Sequence, residues 1–179
     1  RPLIISLAVS RSQVQALSTT QVTQLSTSQL VSLSDADITA LTSSQVAVLS
    51  TSQVAALALS QVQALETEDV AAWTAEQITA LTDDQLGALP DGHVTAIRNA
   101  AIAALSNTQL NAMTSSQVAS LSTSQIAAMT TSQLRNLSSS LVSALSTGGI
   151  AALSGDQIAA LSATQTPALT ASQLTAIDL

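Results

Sequence analysis

Apolar residues fall on two ladders, each with a period of eight. The first runs Leu17, Leu25, Leu33, Leu41, Leu49, Leu57 and Leu65, and continues through Trp73 and Leu81 to Leu169 and Ile177 without a slip in register. The second starts at Val14, Val22, Leu30, Ile38 and Val46, is aliphatic at every step to Ile158, breaks at Thr166 and resumes at Leu174. The polar residues keep the same beat. The consensus octad is S/T-x-x-Q-V/I/L-x-A-L, as in Ser50-Thr51-Ser52-Gln53-Val54-Ala55-Ala56-Leu57. Self-similarity at a fixed short period marks a repeat architecture.

Ser or Thr followed three residues later by Gln is a capping box: the hydroxyl accepts from the N3 backbone N–H, and the Gln side chain reaches back to the N-cap's own N–H. Thr42/Gln45, Ser106/Gln109, Thr114/Gln117, Thr130/Gln133 and Thr170/Gln173 all keep it. Every octad therefore carries a helix-start signal just after the Leu that closes the previous one. An unbroken α-helix would turn its apolar face by about 80° per octad, so the Leu ladder would spiral and no straight partner could cover it. A strand places alternate residues on one face, but Val, Ala and Leu of the octad share no single parity. Breaking the helix once per octad gives a helix of roughly six residues with Val and Leu on one face as an i,i+3 pair. The pattern predicts an all-α solenoid or superhelix of short capped helices, one per eight-residue repeat. It winds Leu, Val and Ala inward and Ser, Thr and Gln outward. One octad cannot bury its own apolar face, so stability must come from neighbours.

The charges follow the caps. With the Ser/Thr column as N-cap, all eleven acids fall between N-cap and N3, where the helix dipole favours negative charge. The net charge of -7, the pI near 4.1 and the absence of Lys exclude a basic footprint for nucleic acid. With no Cys there is no disulfide, thiolate chemistry or Cys-based metal site. The polar tetrad interrupts every octad, so no run approaches the ~20 apolar residues of a membrane span. Residues 1–9 read as a degenerate N-terminal repeat or cap, and residues 10–179 as a continuous octapeptide-repeat solenoid. The missing initiator Met and a last unit that stops at Ile177-Asp178-Leu179 predict a piece of a longer array.

Departures from the consensus are the places to seek chemistry. Pro90-Asp91-Gly92-His93 replaces a cap tetrad and Arg98-Asn99-Ala100-Ala101 the next. Ala58 removes a cap hydroxyl, Ser138-Ser139-Ser140-Leu141 and Ser146-Thr147-Gly148-Gly149 lack the Gln, and Pro167 falls at N5, where its missing N–H forfeits a helical bond. His93 has only Asp91 near it and reads as a solvent-facing substitute for Gln, since a ligand or catalytic base needs convergent partners. Trp73 stands in the Leu column and reads as core. Glu66-Thr67-Glu68-Asp69 and Thr82-Asp83-Asp84 lack the spaced Asp/Asn and Gly of a calcium loop and read as first-turn helix charge. There is no Gly-x-Ser-x-Gly elbow, no phosphate loop, and one His. No catalytic, cofactor-binding or metal-ligating residue is assigned, and no cofactor is expected.

On runs such as Ala40-Leu41-Thr42-Ser43-Ser44-Gln45-Val46 the chain resembles the octapeptide tracts of very large repetitive bacterial proteins, secreted or surface proteins of RTX or adhesin type. That resemblance implies an extracellular or cell-surface location and carries over no functional residue. The piece Leu-Thr-x-x-Gln-Val-x-Ala-Ile also resembles the opening of a TAL-effector repeat, but the base-reading loop of that longer unit is missing, so DNA binding does not follow. The expected role is non-enzymatic: a spacer, stalk or filament-forming element whose partners are itself or neighbouring repeats, with no membrane insertion. The alternative is a binding module that presents a regular Ser/Thr lattice to a repetitive ligand such as glycan, ice or mineral. A Ser/Thr exterior could also carry O-glycans.

Overall fold

The computed structural model describes residues 10–177. Among these there are twenty α-helices of four to six residues, one 3-10 helix, and no strand. Numbered in chain order, they run from α1 (Arg11–Gln15) to α20 (Ala171–Ala176), one helix per octad. The octad at 162–169 carries the 3-10 helix Thr166–Ala168 instead. Pro167 lies in it, and its missing N–H denies that unit an α-helix.

The helix starts are set by the boxes. Ser50 has the extended φ/ψ of an N-cap, its hydroxyl accepts from the Gln53 N–H at 3.2 Å, and its own N–H donates to Gln53 Oε1 at 2.8 Å. The same exchange recurs at Ser122/Gln125 and Thr130/Gln133. The helix ends need no glycine. Leu57 (φ -55°, ψ 138°) and Ala58 (φ -68°, ψ 156°) are both extended, and this two-residue link throws the chain into the next helix. No described residue has a positive φ. Replacing Ser50, Ser122 and Thr130 with Ala should therefore cost about 1 kcal/mol apiece. In an uninterrupted helix the same changes would stabilise, because Ala is the better helix former. Thermal melts of the triple variant read the sign directly.

Helices do not pack chiefly on their sequence neighbours. Each lies against the helix three octads on: α4 (Asp35–Thr39) on α7 (Leu59–Ala64), α10 (Asp83–Ala88) on α13 (Asn107–Ala112), α14 (Ser115–Ser120) on α17 (Ser139–Ala144). The chain is thus a superhelix of helices, with a turn of more than three octads. The Val and Leu ladders form one continuous apolar cluster along its inside, from Val14 to Ile177. Trp73 belongs to it, fully buried, with its indole N–H on the Val46 carbonyl at 3.3 Å. Close approach explains Gly87: a Cβ there would lie 2.8 Å from the Ala112 carbonyl oxygen, so α10 and α13 touch backbone to side-chain position. The Val ladder stops being core at its end. Ile158 is half-buried and Leu174 is 46% exposed, because no described octad lies three units further on to cover them.

The expectation for the exterior needs one correction. Ser and Thr face solvent, but the Gln of the capping boxes does not. From Gln45 onward the Gln side chains of the N3 column are buried, Gln117 and Gln125 at 1% exposure. His93, expected at the surface, is buried with them.

Candidate functional site

What buries the Gln column is a second job for the same side chain. Gln117 Oε1 accepts the N-cap N–H of Thr114 at 2.7 Å, within its own octad. Its Nε2 donates to the carbonyls of Leu86 (2.9 Å), Gly87 (3.3 Å) and Leu89 (2.7 Å), four octads earlier. The pattern repeats without change of offset. Gln53 reaches Val22 and Leu25, Gln85 reaches Val54, Ala55 and Leu57, Gln133 reaches Ile102, Ala103 and Leu105, and Gln173 reaches Val142, Ser143 and Leu145. The Leu carbonyl is always 28 residues back, so one turn of the superhelix is close to three and a half octads.

The acceptors are carbonyls at the C-terminal end of each short helix. Those of the Val column already accept from a backbone N–H three residues on, as Leu86 does from Leu89. Those of the Leu column, such as Leu89 and Leu57, have no backbone donor. The Leu residue is extended, so its carbonyl has left the helical ladder and points at the next turn. Burying such a group without a partner is costly. Each Gln thus serves both ends of the short helices: an N-cap N–H in its own octad, and in the turn before a Leu-column carbonyl that has no backbone donor. Glu would complete the capping box equally well but has no hydrogen to give. The N3 column contains Gln, Asp, His, Ala, Leu and Gly but no Glu, and that absence is the sequence signal for the donor role. Pro167 does not interrupt the ladder, since Gln165 still donates to Leu134 and Leu137.

The irregular octads depart from this pattern in different ways. His93 donates from Nε2 to the Leu65 carbonyl at 2.6 Å, at the usual 28-residue offset. Its N-cap is Pro90, which has no N–H, so the acceptor half of Gln is not needed there. Arg98 stands in for the missing Gln of its octad, its Nε on the Ala71 carbonyl at 2.9 Å. Where Leu141 takes the Gln position, the Ser138 N–H goes to Asn111 Oδ1 at 2.8 Å, while Asn111 Nδ2 binds the Asn136 carbonyl at 2.9 Å. At Gly149 the space is filled by Ile126, whose Cδ1 would lie 2.1 Å from an added Cβ. Ala58 keeps only the half of the box that Gln61 supplies, since alanine has no oxygen to accept with.

Asp69 is the one buried acid among the described residues. Its carboxylate accepts from the Glu66 N–H and from the Ser43 hydroxyl, both at 2.9 Å, and so cannot serve the Ile38 and Leu41 carbonyls that a Gln there would reach. Asp69→Gln should accordingly raise stability by about 1 kcal/mol, measured as a shift in the urea midpoint.

The other described acids sit where the dipole argument puts them, in first turns or at the N-cap; Asp178 lies outside the described residues. Glu76 is held below the usual carboxylate range by its own backbone N–H and then by the Thr74 hydroxyl. That small contribution to stability is present at neutral pH and is lost as pH falls through the lowered value. Glu66, Glu68, Asp83 and Asp84 do not converge, and among the described residues no group of three His, Cys, Asp or Glu could hold a metal ion. No described helix is long and apolar enough to cross a membrane.

Two stretches of the chain fit a known repeat family. Residues 33–67 and 102–139, less than half of the chain, match the family model described as the ALTTAQ repeat. Read as residues, that description follows the order Ala-Leu, cap Thr, two further positions, then Gln, as in Ala40-Leu41-Thr42-Ser43-Ser44-Gln45. The chain is a tandem-repeat protein. No curated protein matches it. Nothing in the match concerns an RTX or adhesin setting.

Proposed function

We propose that the chain is a non-enzymatic structural element, an elongated spacer, stalk or filament-forming segment of an extracellular or bacterial-surface assembly. The observation that carries this reading is the Gln ladder. The departures from the octad consensus that could have signalled a site are taken up by structure. His93 and Arg98 keep a bond between turns, Ile126 fills the space at Gly149, and Asp69, which forgoes the carbonyl bonds, is held by Glu66 and Ser43. His93, Arg98 and Asn111 are all accounted for as structure. A surface location is supported only by the resemblance to repetitive surface proteins. Self-association, or continuation into further octads, suits a backbone in which any unit can dock on any other of the same type.

Small-angle scattering on the full chain tests it. A superhelix of this kind should give an elongated particle, with a maximum dimension well above that of a compact domain of this length. A sphere-like profile, near the ~16 Å radius of gyration expected for a compact chain of this size, overturns the reading. The hydroxyl-lattice alternative is weakened by the caps themselves. The N-cap hydroxyls already accept from N3 amides, and the outward N1 column mixes Thr51 and Thr123 with Leu59, Asp83 and Asp91. Ice-growth and polysaccharide pull-down assays with no effect remove that alternative.

A further inference from the structure

We infer that the array is an extensible spring that releases its chain octad by octad under tension. This rests on the spacer reading and adds a mechanical role to it. Three observations carry it. First, apart from the continuous backbone, successive turns are joined only by non-covalent contacts, because the chain has no Cys to cross-link them. Second, the polar bonds between turns connect octads three or four units apart, as do the helix contacts: Gln117 to Leu89, Ser116 to Asp91, α10 to α13. Tension applied at the chain ends acts along the superhelix axis, and so across these bonds. Third, the bonds are nearly alike from octad to octad, with the Gln–Leu distance between 2.6 and 2.9 Å at Gln45, Gln85, Gln109, Gln117 and Gln133.

An end octad is held from one side and an interior octad from both. Load therefore detaches the end unit first, exposes the next as a new end of the same strength, and repeats. Each step frees eight residues, at most about 26–29 Å of extended chain at roughly 3.3–3.6 Å per residue. On relaxation the freed Gln meets the same carbonyls on the standing turn, so recoil needs no search beyond one unit. Cooperativity that instead bound the turns into one block would give a single release of the whole length.

The test is optical-tweezers extension of the full chain, tethered at its two termini. The expected trace is a plateau of small steps at closely similar force, each no longer than one or two octads, retraced on relaxation. A single rip that releases most of the chain overturns the spring, while leaving an elongated particle in scattering, and the spacer reading, untouched. The triple variant Q109A/Q117A/Q125A should move the corresponding steps to lower force with their length unchanged. Should that variant fail to fold, Q117A alone serves. Force unaffected by removal of the Gln amides overturns the claim that the ladder bears the load.

Discussion

Gln117→Glu should destabilise the chain by about 3–5 kcal/mol, more than Gln117→Ala, because an uncompensated buried charge carries that penalty. The comparison separates the two roles of the side chain. Glu keeps the acceptor for the Thr114 N–H, and by the capping box alone it would be nearly neutral. In the superhelix it places a buried carboxylate against the carbonyls of Leu86, Gly87 and Leu89, with no Lys in the chain to offset it. Gln117→Ala loses the bonds without adding the charge, for about 1–3 kcal/mol. The pH dependence has a defined sign. Burial among acceptors raises the folded-state pKa of the introduced carboxyl above its unfolded value. The Gln117→Glu variant therefore regains stability as pH falls through the raised value, when the acid can donate. Urea titrations of both variants at neutral and mildly acidic pH check the order and the recovery.

Deleting the single residue Thr108 should cost roughly 4 kcal/mol or more, at about 1 kcal/mol per bond lost, whereas deleting the whole octad 106–113 should cost far less. Thr108 is exposed and lies outside the apolar core. The bonds of Gln109, Gln117, Gln125 and Gln133 nevertheless run across it, each to carbonyls on its N-terminal side. Removing one residue shifts each of these donors against its acceptors. Removing eight shortens the array by one unit and lets every Gln find carbonyls of the same type at the same offset. A conventional surface site predicts the reverse order of damage, since one residue is less than eight. Chemical denaturation of the two deletions decides between them.

The helices and the core are legible in the sequence because both are local. A capping box spans three residues, as at Ser50 and Gln53, and the Val54/Leu57 pair sits on one face of a six-residue helix whatever the rest of the chain does. The Gln interior is not legible in the same way. A local reading assigns Oε1 to the N-cap N–H and leaves Nε2 to water. Its real partners lie 28–31 residues back, at a distance set by how many octads complete a turn. That number follows from small dihedral choices at links such as Leu57–Ala58, which no residue pattern announces. The sequence reading misplaces His93 for the same reason: once the column is taken to face solvent, its occupant follows. Trp73 falls in the right place because its column is already core. The absence of Glu at N3 is the available sign, since capping alone does not discriminate against it. The corresponding chemistry for the irregular octads, such as the exchange of Ser138 and Asn111, has no sequence signal, because it pairs residues 27 apart by side-chain reach alone.

A two-cysteine variant of this cysteine-free chain tests the superhelical register most directly. Asp91 and Ser116 are 25 residues apart, both exposed, with the Ser116 hydroxyl on the Asp91 carboxylate. Under mild oxidation D91C/S116C should close an intramolecular disulfide, seen as a two-hydrogen mass loss in the intact monomer. The off-register pair D91C/S124C, one octad further along, should leave two alkylatable thiols. Closure in the second pair and not in the first would contradict the register, and with it the Gln ladder.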